Sequence, residues 1–218
     1  PLPLEGVHFP NIANVEFPTL GVVAFSFLAA FTFFSGIVSL FSALRKADAS
    51  DVVPVVGAIS ALSTFGLGYL FLGTKLAPNF LAGMLLLALG TILVSRFRFT
   101  WQTALVSLHS GIFFGLHYVT FKGLLEITSF DNAFFWSRIG LVLFALSLLF
   151  VPEYLAKIHV KVRKSQTHAS MLVIGNKVLA GIAGIMILKA TELGDAAVIQ
   201  ALGGLQFVFI LMIGFFIG

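Results

Sequence analysis

The chain has 218 residues, 59% of them hydrophobic and only 10% charged, with a mean hydropathy of +1.06. A soluble domain carries about 25% charged residues, so this chain cannot clothe a globule in polar surface, and lipid must solvate most of it. The net charge of +4 is no nucleic-acid footprint, because the basic residues cluster in short loops between apolar runs; with no cysteine there is neither a disulfide frame nor a thiolate metal site.

Residues 1–17 hold three prolines, two asparagines and no basic residue, the composition of a loop or linker. Pro18 then opens an apolar run to about Leu44, and Pro suits a first helical turn. Arg45, Lys46, Asp48 and Asp51 form the exit. A second helix is predicted from about Asp51 to Leu72, with Pro54 in its first turn, where the missing N–H costs little. Lys75 and Pro78 mark a tight turn, and a third helix spans about 79–95. Gly83 and Gly90 share one of its faces, and small residues on one face let two helices approach closely in lipid; Gly73 is placed in the same packing role.

A fourth helix covers about 100–124, from Trp101 at one interface to Lys122 near the other; Glu126 and Asp131 lie in the turn beyond. A fifth runs from about 132 to 151 and carries Arg138 inside. The one long polar connection is 152–168, with Lys157, Lys161, Arg163 and Lys164. A sixth helix covers about 169–189 and contains Asn176 and Lys177; a seventh starts near Asp195 and is cut off at Gly218. Seven runs of about 20 residues each fit a hydrocarbon layer of about 30 Å. The runs are continuous rather than alternating, which favours helices over barrel strands.

Part of the chain returns later in itself. Leu44, Asp51 and the apolar run behind them line up with Leu188, Asp195 and their run, with Lys189 opposite Arg45, Glu192 opposite Asp48 and Phe215 opposite Phe71. A repeat this long suggests two related halves, each a bundle of several helices. Loops 45–50, 96–100 and 152–168 fall on one side and hold most of the loop Lys and Arg; the other side has Lys75, Lys122 and Lys189. The positive-inside rule puts the first group in the cytoplasm.

Every carboxylate lies at a helix end or in a loop, so the spans offer no acid at mid-depth for a proton relay, an aspartate-pair protease or carboxylate-ligated metal chemistry. Arg138 and Lys177 are different: each lies seven or eight residues inside its helix. A charge at that depth costs at least about 2.5 kcal/mol, so each must either snorkel to the interface or face a wet cavity, an anionic ligand or a partner. Asn176 beside Lys177 favours the cavity for that pair. His109 and His117, eight residues apart, suit interhelical hydrogen bonds better than a metal site, which prefers a closer spacing and further ligands. His117 with Tyr118 is the better candidate for substrate contact. Gln200 and Gln206, beside Gly203 and Gly204, either line a cavity or tie helices together. The 25 phenylalanines read as lipid contact and packing, and Trp101, Tyr154 and Trp136 as interface anchors.

These residues carry a resemblance. The segment 66–94, GLGYLFLGTKLAPNFLAGMLLLALGTILV, resembles the signature end of the EamA repeat of the drug/metabolite transporter superfamily: an apolar helix with an early Pro54, a turn with Gly73, Lys75 and Leu76, and a helix with Gly83 and Gly90. Residues 111–126 and 130–144, with Arg138, look like the first two helices of a second repeat, and 170–218 like its third and fourth. The resemblance implies an all-α polytopic bundle of two inverted five-helix repeats. This chain would hold helices three to nine of ten, as a piece of a longer protein: 1–17 a linker, 18–95 the C-terminal part of the first repeat, and 100–218 the second repeat without its last helix. The family's Glu after the fourth helix is Thr74 here, so no ion-pair role is carried over to that turn. Family members keep both termini cytoplasmic, which would put 152–168 outside; the charge count puts it inside, and the count is followed here.

The reading is therefore a multi-pass integral membrane protein, in the cell (inner) membrane if bacterial, that works as a secondary carrier and not an enzyme. It would move a small polar metabolite such as an amino acid by alternating access, with Lys177, Asn176, His117, Tyr118 and Gln206 lining the cavity and Arg138 near one gate. Its partners are the small-molecule substrate, the lipid bilayer and a second copy in a homodimer, with no nucleic acid, cofactor or metal. An intramembrane lipid-modifying enzyme and a non-transporting scaffold are the rivals. His159 and His168 flank Lys161–Lys164 without the carboxylates an enzyme would need, and the glycine faces suit a scaffold.

Overall fold

The computed structural model describes residues 9–75, 77–94, 100–152 and 167–206, together with Phe209 and Met212. Every regular element among them is helical: α1 (Leu20–Leu44), α2 (Ala49–Leu72), α3 (Pro78–Val94), α4 (Trp101–Ile127), α5 (Phe130–Ser147, followed by the 3-10 turn Leu148–Phe150), α6 (Thr167–Leu193) and α7 (Ala196–Leu202). Five of them are long and apolar enough to cross a membrane: α1, α2, α4, α5 with its 3-10 turn, and α6. α3 is shorter, at 17 residues, and only seven residues of the seventh helix fall among those described. Arg96, Arg98, most of the 152–168 connection and Phe215 lie outside the described residues.

Short polar side chains set the helix starts. Thr19, Thr100 and Ser129 accept from the amide three residues on, and Asp195 accepts from Ala197 and Val198. Each thereby satisfies donors that a first helical turn leaves orphaned. α2 begins earlier than its apolar run suggests, because the Asp48 carbonyl already accepts from the amides of Asp51 and Val52. Pro54 thus lies beyond the first turn, where its missing N–H removes one helical bond. At the other end Gly73 adopts a left-handed φ of 63°, and the Thr74 amide reaches back to the Gly68 carbonyl. Gly73 is therefore a helix cap and not a packing glycine.

α4 is the centre of the bundle, packed on α1 and α2, with α5 on the far side of α1. Glycine lets α4 sit so close to α2. A Cβ on Gly111 would fall 2.5 Å from Ile59 Cγ2, and one on Gly115 would fall 2.6 Å from Ser63 Cβ and 2.9 Å from the Thr64 amide. Gly140 does the same for α5, where a Cβ would meet Ala30 Cβ of α1 at 2.9 Å. The expected packing glycines of α3, Gly83 and Gly90, face open space instead. Close backbone approach maximises dispersion contact where lipid removes any hydrophobic drive between helices. Hydrogen bonds stitch α1 to α4: Ser110 donates to the Gly36 carbonyl at 2.9 Å, and Ser39 pairs with His109 Nδ1 at 2.7 Å.

The helices alternate in direction. Residues 43–56 pack with Val106 at one end of the bundle. At the other end Lys122 Nζ of α4 donates to the carbonyls of Thr191, Glu192 and Gly194, at 2.8, 3.1 and 2.9 Å, and so holds the end of α6. The N-terminal stretch is bound at that same end. Asn11 N and Asn14 Nδ2 donate to Asp131, Glu16 N donates to Asn132 Oδ1, and Trp136 Nε1 donates to the Glu16 carbonyl. Residues 11–16 are a strap across the start of α5 rather than a free linker, and the interface anchor expected of Trp136 is one of its ties.

Candidate functional site

α4 and α5 meet at a turn, and each carries polar groups about two turns back from it. His117 and Tyr118 on α4 and Arg138 on α5 converge there on one cavity of about 350 Å³. Phe33 of α1 and Phe134 of α5 complete its aromatic wall; Ala180, Gly181, Gly184, Ile185 and Leu188 of α6 form the opposite one.

Each polar group is oriented by a specific neighbour. The Arg138 guanidinium carbon lies 4.9 Å from the Phe134 ring centre and 6.0 Å from that of Phe33. A cation over ring faces gains some attraction without losing its charge. Among the described residues no carboxylate lies within ion-pair distance of Arg138; the ion pair found there joins Lys189 to Glu192, with Lys189 also over the Phe130 ring. His117 is buried and its Nδ1 lies 2.9 Å from the Ala29 carbonyl. A carbonyl only accepts, so Nδ1 carries the proton and a neutral ring leaves Nε2 as an acceptor. The imidazole also packs on Phe33 at 4.8 Å and on Tyr118 at 5.1 Å between ring centres. The side chain of Gln200 on α7 lies beside Tyr118 and accepts from Ser60 Oγ of α2 at 3.3 Å. One polar chain therefore runs from α2 through α7 to the cavity.

Of the six residues expected at a site, the structure brings together His117, Tyr118 and Arg138. Asn176, Lys177 and Gln206 are exposed and do not line this cavity. Lys177 lies on the same face of α6 as Gly181, Gly184 and Leu188, one turn short of the cavity. Sequence reasoning gave no special place to Phe33, Phe134, Gly181 and Gly184. Phe134 is one turn before Arg138 on the same face, and that spacing was a usable signal. Among the described residues no group of three His, Asp or Glu could hold a metal ion.

A second cavity, of about 430 Å³, lies on the other side of α4 between α1 and α2. Its walls are apolar, from Phe25, Leu28, Phe71 and Leu116 among others, and Thr120 and Glu126 are its polar members.

Residues 7–96 match the family model described as the EamA-like transporter family. That stretch contains the motif from Pro54 to Gly90, so the resemblance read from those residues holds there; the resemblance read at 100–218 lies outside the matched residues. No curated protein and no solved structure matches the chain. Five apolar helices and a match to a transporter family make this an integral membrane protein.

Proposed function

We propose that the protein is a secondary carrier that moves a small metabolite bearing an acid group by alternating access. The observation that supports this most is Arg138. A guanidinium over two phenyl rings, half-buried and with no carboxylate partner among the described residues, is a charge without a counter-ion among them. Inside a bilayer such a charge costs at least about 2.5 kcal/mol, and an anionic substrate offsets that cost while it is bound.

The neighbouring groups suit the same task. His117, fixed by Ala29, offers an acceptor, and Tyr118 a hydroxyl, so a substrate oxygen or its donor finds partners beside the guanidinium. α6 supplies the wall that moves. It is tied to α4 at its end through Lys122, and its bare glycines face the cavity. Rocking about that tie would open the cavity toward one side and close it toward the other. Lys177, one turn out on the same face, would meet the substrate on its way in.

Uptake by the full-length protein in lipid vesicles tests this. Arg138→Gln should cut flux by at least about tenfold, the usual cost of removing a buried charged contact. Lys177→Met, at the mouth, should cost only about two- to threefold, as an exposed charge does. Unchanged flux in Arg138→Gln would remove the cavity from the transport path, and turnover of a lipid without solute flux would favour an enzyme.

A further inference from the structure

Resting on the reading of this cavity as the substrate site, we infer that its ligand is an organic monoanion with a flat apolar body and no ammonium group, an arylalkanoate in chemical class. Three observations carry this: the charge balance of the site, the composition of its walls and the shape of the space left.

The charge balance is one-sided. Arg138 is in the wall and Lys177 lies one turn out on the same α6 face. The acids of the helices that form the cavity, Glu126, Asp131 and Glu192, all lie in a first or last turn, and none is in its lining. The two nearest along the chain are engaged elsewhere: Asp131 holds Asn11 and Asn14, and Glu192 holds Lys189. A monoanion makes the occupied site neutral at Arg138. A zwitterion would bring a second cation into a space where the one charged lining residue among those described is already positive, and a buried charge without an opposite partner is the costly case. The two phenyl faces in the lining, those of Phe134 and Phe33, already carry the guanidinium. A phosphate dianion would leave half its charge unmatched.

The walls and the shape give the rest of the ligand. Beyond Arg138, His117 and Tyr118 the lining is Phe33, Phe134, Ala180, Ile185 and Leu188, which hydrate poorly and favour an apolar body. On the α6 side Gly181 and Gly184 are a turn apart on one face, and a Cβ on either would meet nothing within 4 Å. The backbone there is bare and leaves a shallow slot opposite the aromatic wall. A flat ring fits such a slot, with its carboxylate turned to Arg138.

Three probes that share a phenyl ring and a two-carbon arm separate the charge types: 3-phenylpropanoate, phenylalanine and phenethylamine. Calorimetric titration of the purified full-length protein should show 3-phenylpropanoate binding at least about tenfold more tightly than phenylalanine, and phenethylamine not at all. Arg138→Gln and Gly184→Leu should each weaken 3-phenylpropanoate by at least about tenfold. The Gly184 variant tests the slot at a position where a Cβ meets no atom within 4 Å; unfolding midpoints of both variants confirm that they are folded. If phenylalanine binds as tightly as 3-phenylpropanoate and depends equally on Arg138, the monoanion inference falls and the substrate site stands. If 3-phenylpropanoate binds but neither variant weakens it, the site itself is misplaced. If 3-phenylpropanoate does not bind, the inference is overturned, and the flux of Arg138→Gln decides the site separately.

Discussion

α4 and α6 are both 27 residues long and both carry two glycines about one turn apart on one face, yet the bundle treats them in opposite ways. In the membrane-spanning part of α4, 44% of residues are buried; in α6, 11% are. Gly111 and Gly115 of α4 are pressed against the α2 backbone, whereas Gly181 and Gly184 of α6 look into empty space across the cavity. The same residue at nearly the same spacing is a seam in one helix and a binding wall in the other. The neighbour decides which: α2 runs alongside α4 for its whole length, while α6 is fastened to α4 mainly through Lys122 and Leu188 at one end.

The largest expected effect breaks the seam. Gly115→Ala adds one methyl group where Ser63 Cβ, the Thr64 amide and the Ser60 carbonyl already lie within 3.0 Å of its position. Two of those atoms are backbone, so neither can turn aside and the helices must part. A loss of about 3 kcal/mol is expected, at the upper end for overpacking, read as a lowered unfolding midpoint in detergent. An unchanged midpoint would show that α2 and α4 are not held at this distance.

The next effect sharpens the contrast at the fastening. Lys122→Met keeps the aliphatic stem but removes the donor that three carbonyls share at the end of α6. Those carbonyls are helix-terminal groups with a partial negative charge, and a cation there is favourable. The change should cost about 2 kcal/mol. Because Lys122 spans α4 and α6 alone, hydrogen exchange should quicken in 188–202 while the α2–α4 seam keeps its protection. Uniform quickening would mean that α6 is not a separate moving wall.

The contrast also explains what was legible in the sequence. The helices themselves were, because each apolar run must satisfy its backbone internally in lipid, and their ends follow from local side chains such as Thr100 and Asp195. Which face points inward was not. A helix in lipid is apolar all round, so periodicity does not separate the core from the lipid side. Gly83 and Gly90 looked like packing residues and are not, whereas Gly115 and Gly140 are, and only the neighbouring helix distinguishes them. Among the polar candidates, His117, Tyr118 and Arg138 met because the short α4–α5 turn leaves them at one level of the bundle, on one cavity. Asn176 and Lys177 had the same local pattern and lie outside the cavity. The strap was hidden for another reason: Asn11 and Asp131 are 120 residues apart, and nothing local in either segment points to the other.

The smallest expected effect is the counterpart of the first. Gly184→Ala makes the same chemical change as Gly115→Ala, one hydrogen to one methyl, on a helix of the same length. Here the methyl meets no atom within 4 Å. No overpacking can result, and alanine is the better helix former, so the unfolding midpoint should move by no more than about 0.5 kcal/mol in equivalent terms, with a slight gain the favoured sign. The pair thus isolates the neighbour from the residue. If Gly184→Ala destabilises the protein as much as Gly115→Ala, α6 is packed where the structure leaves it bare, the cavity closes with it, and Arg138 loses the space in which a substrate would answer its charge.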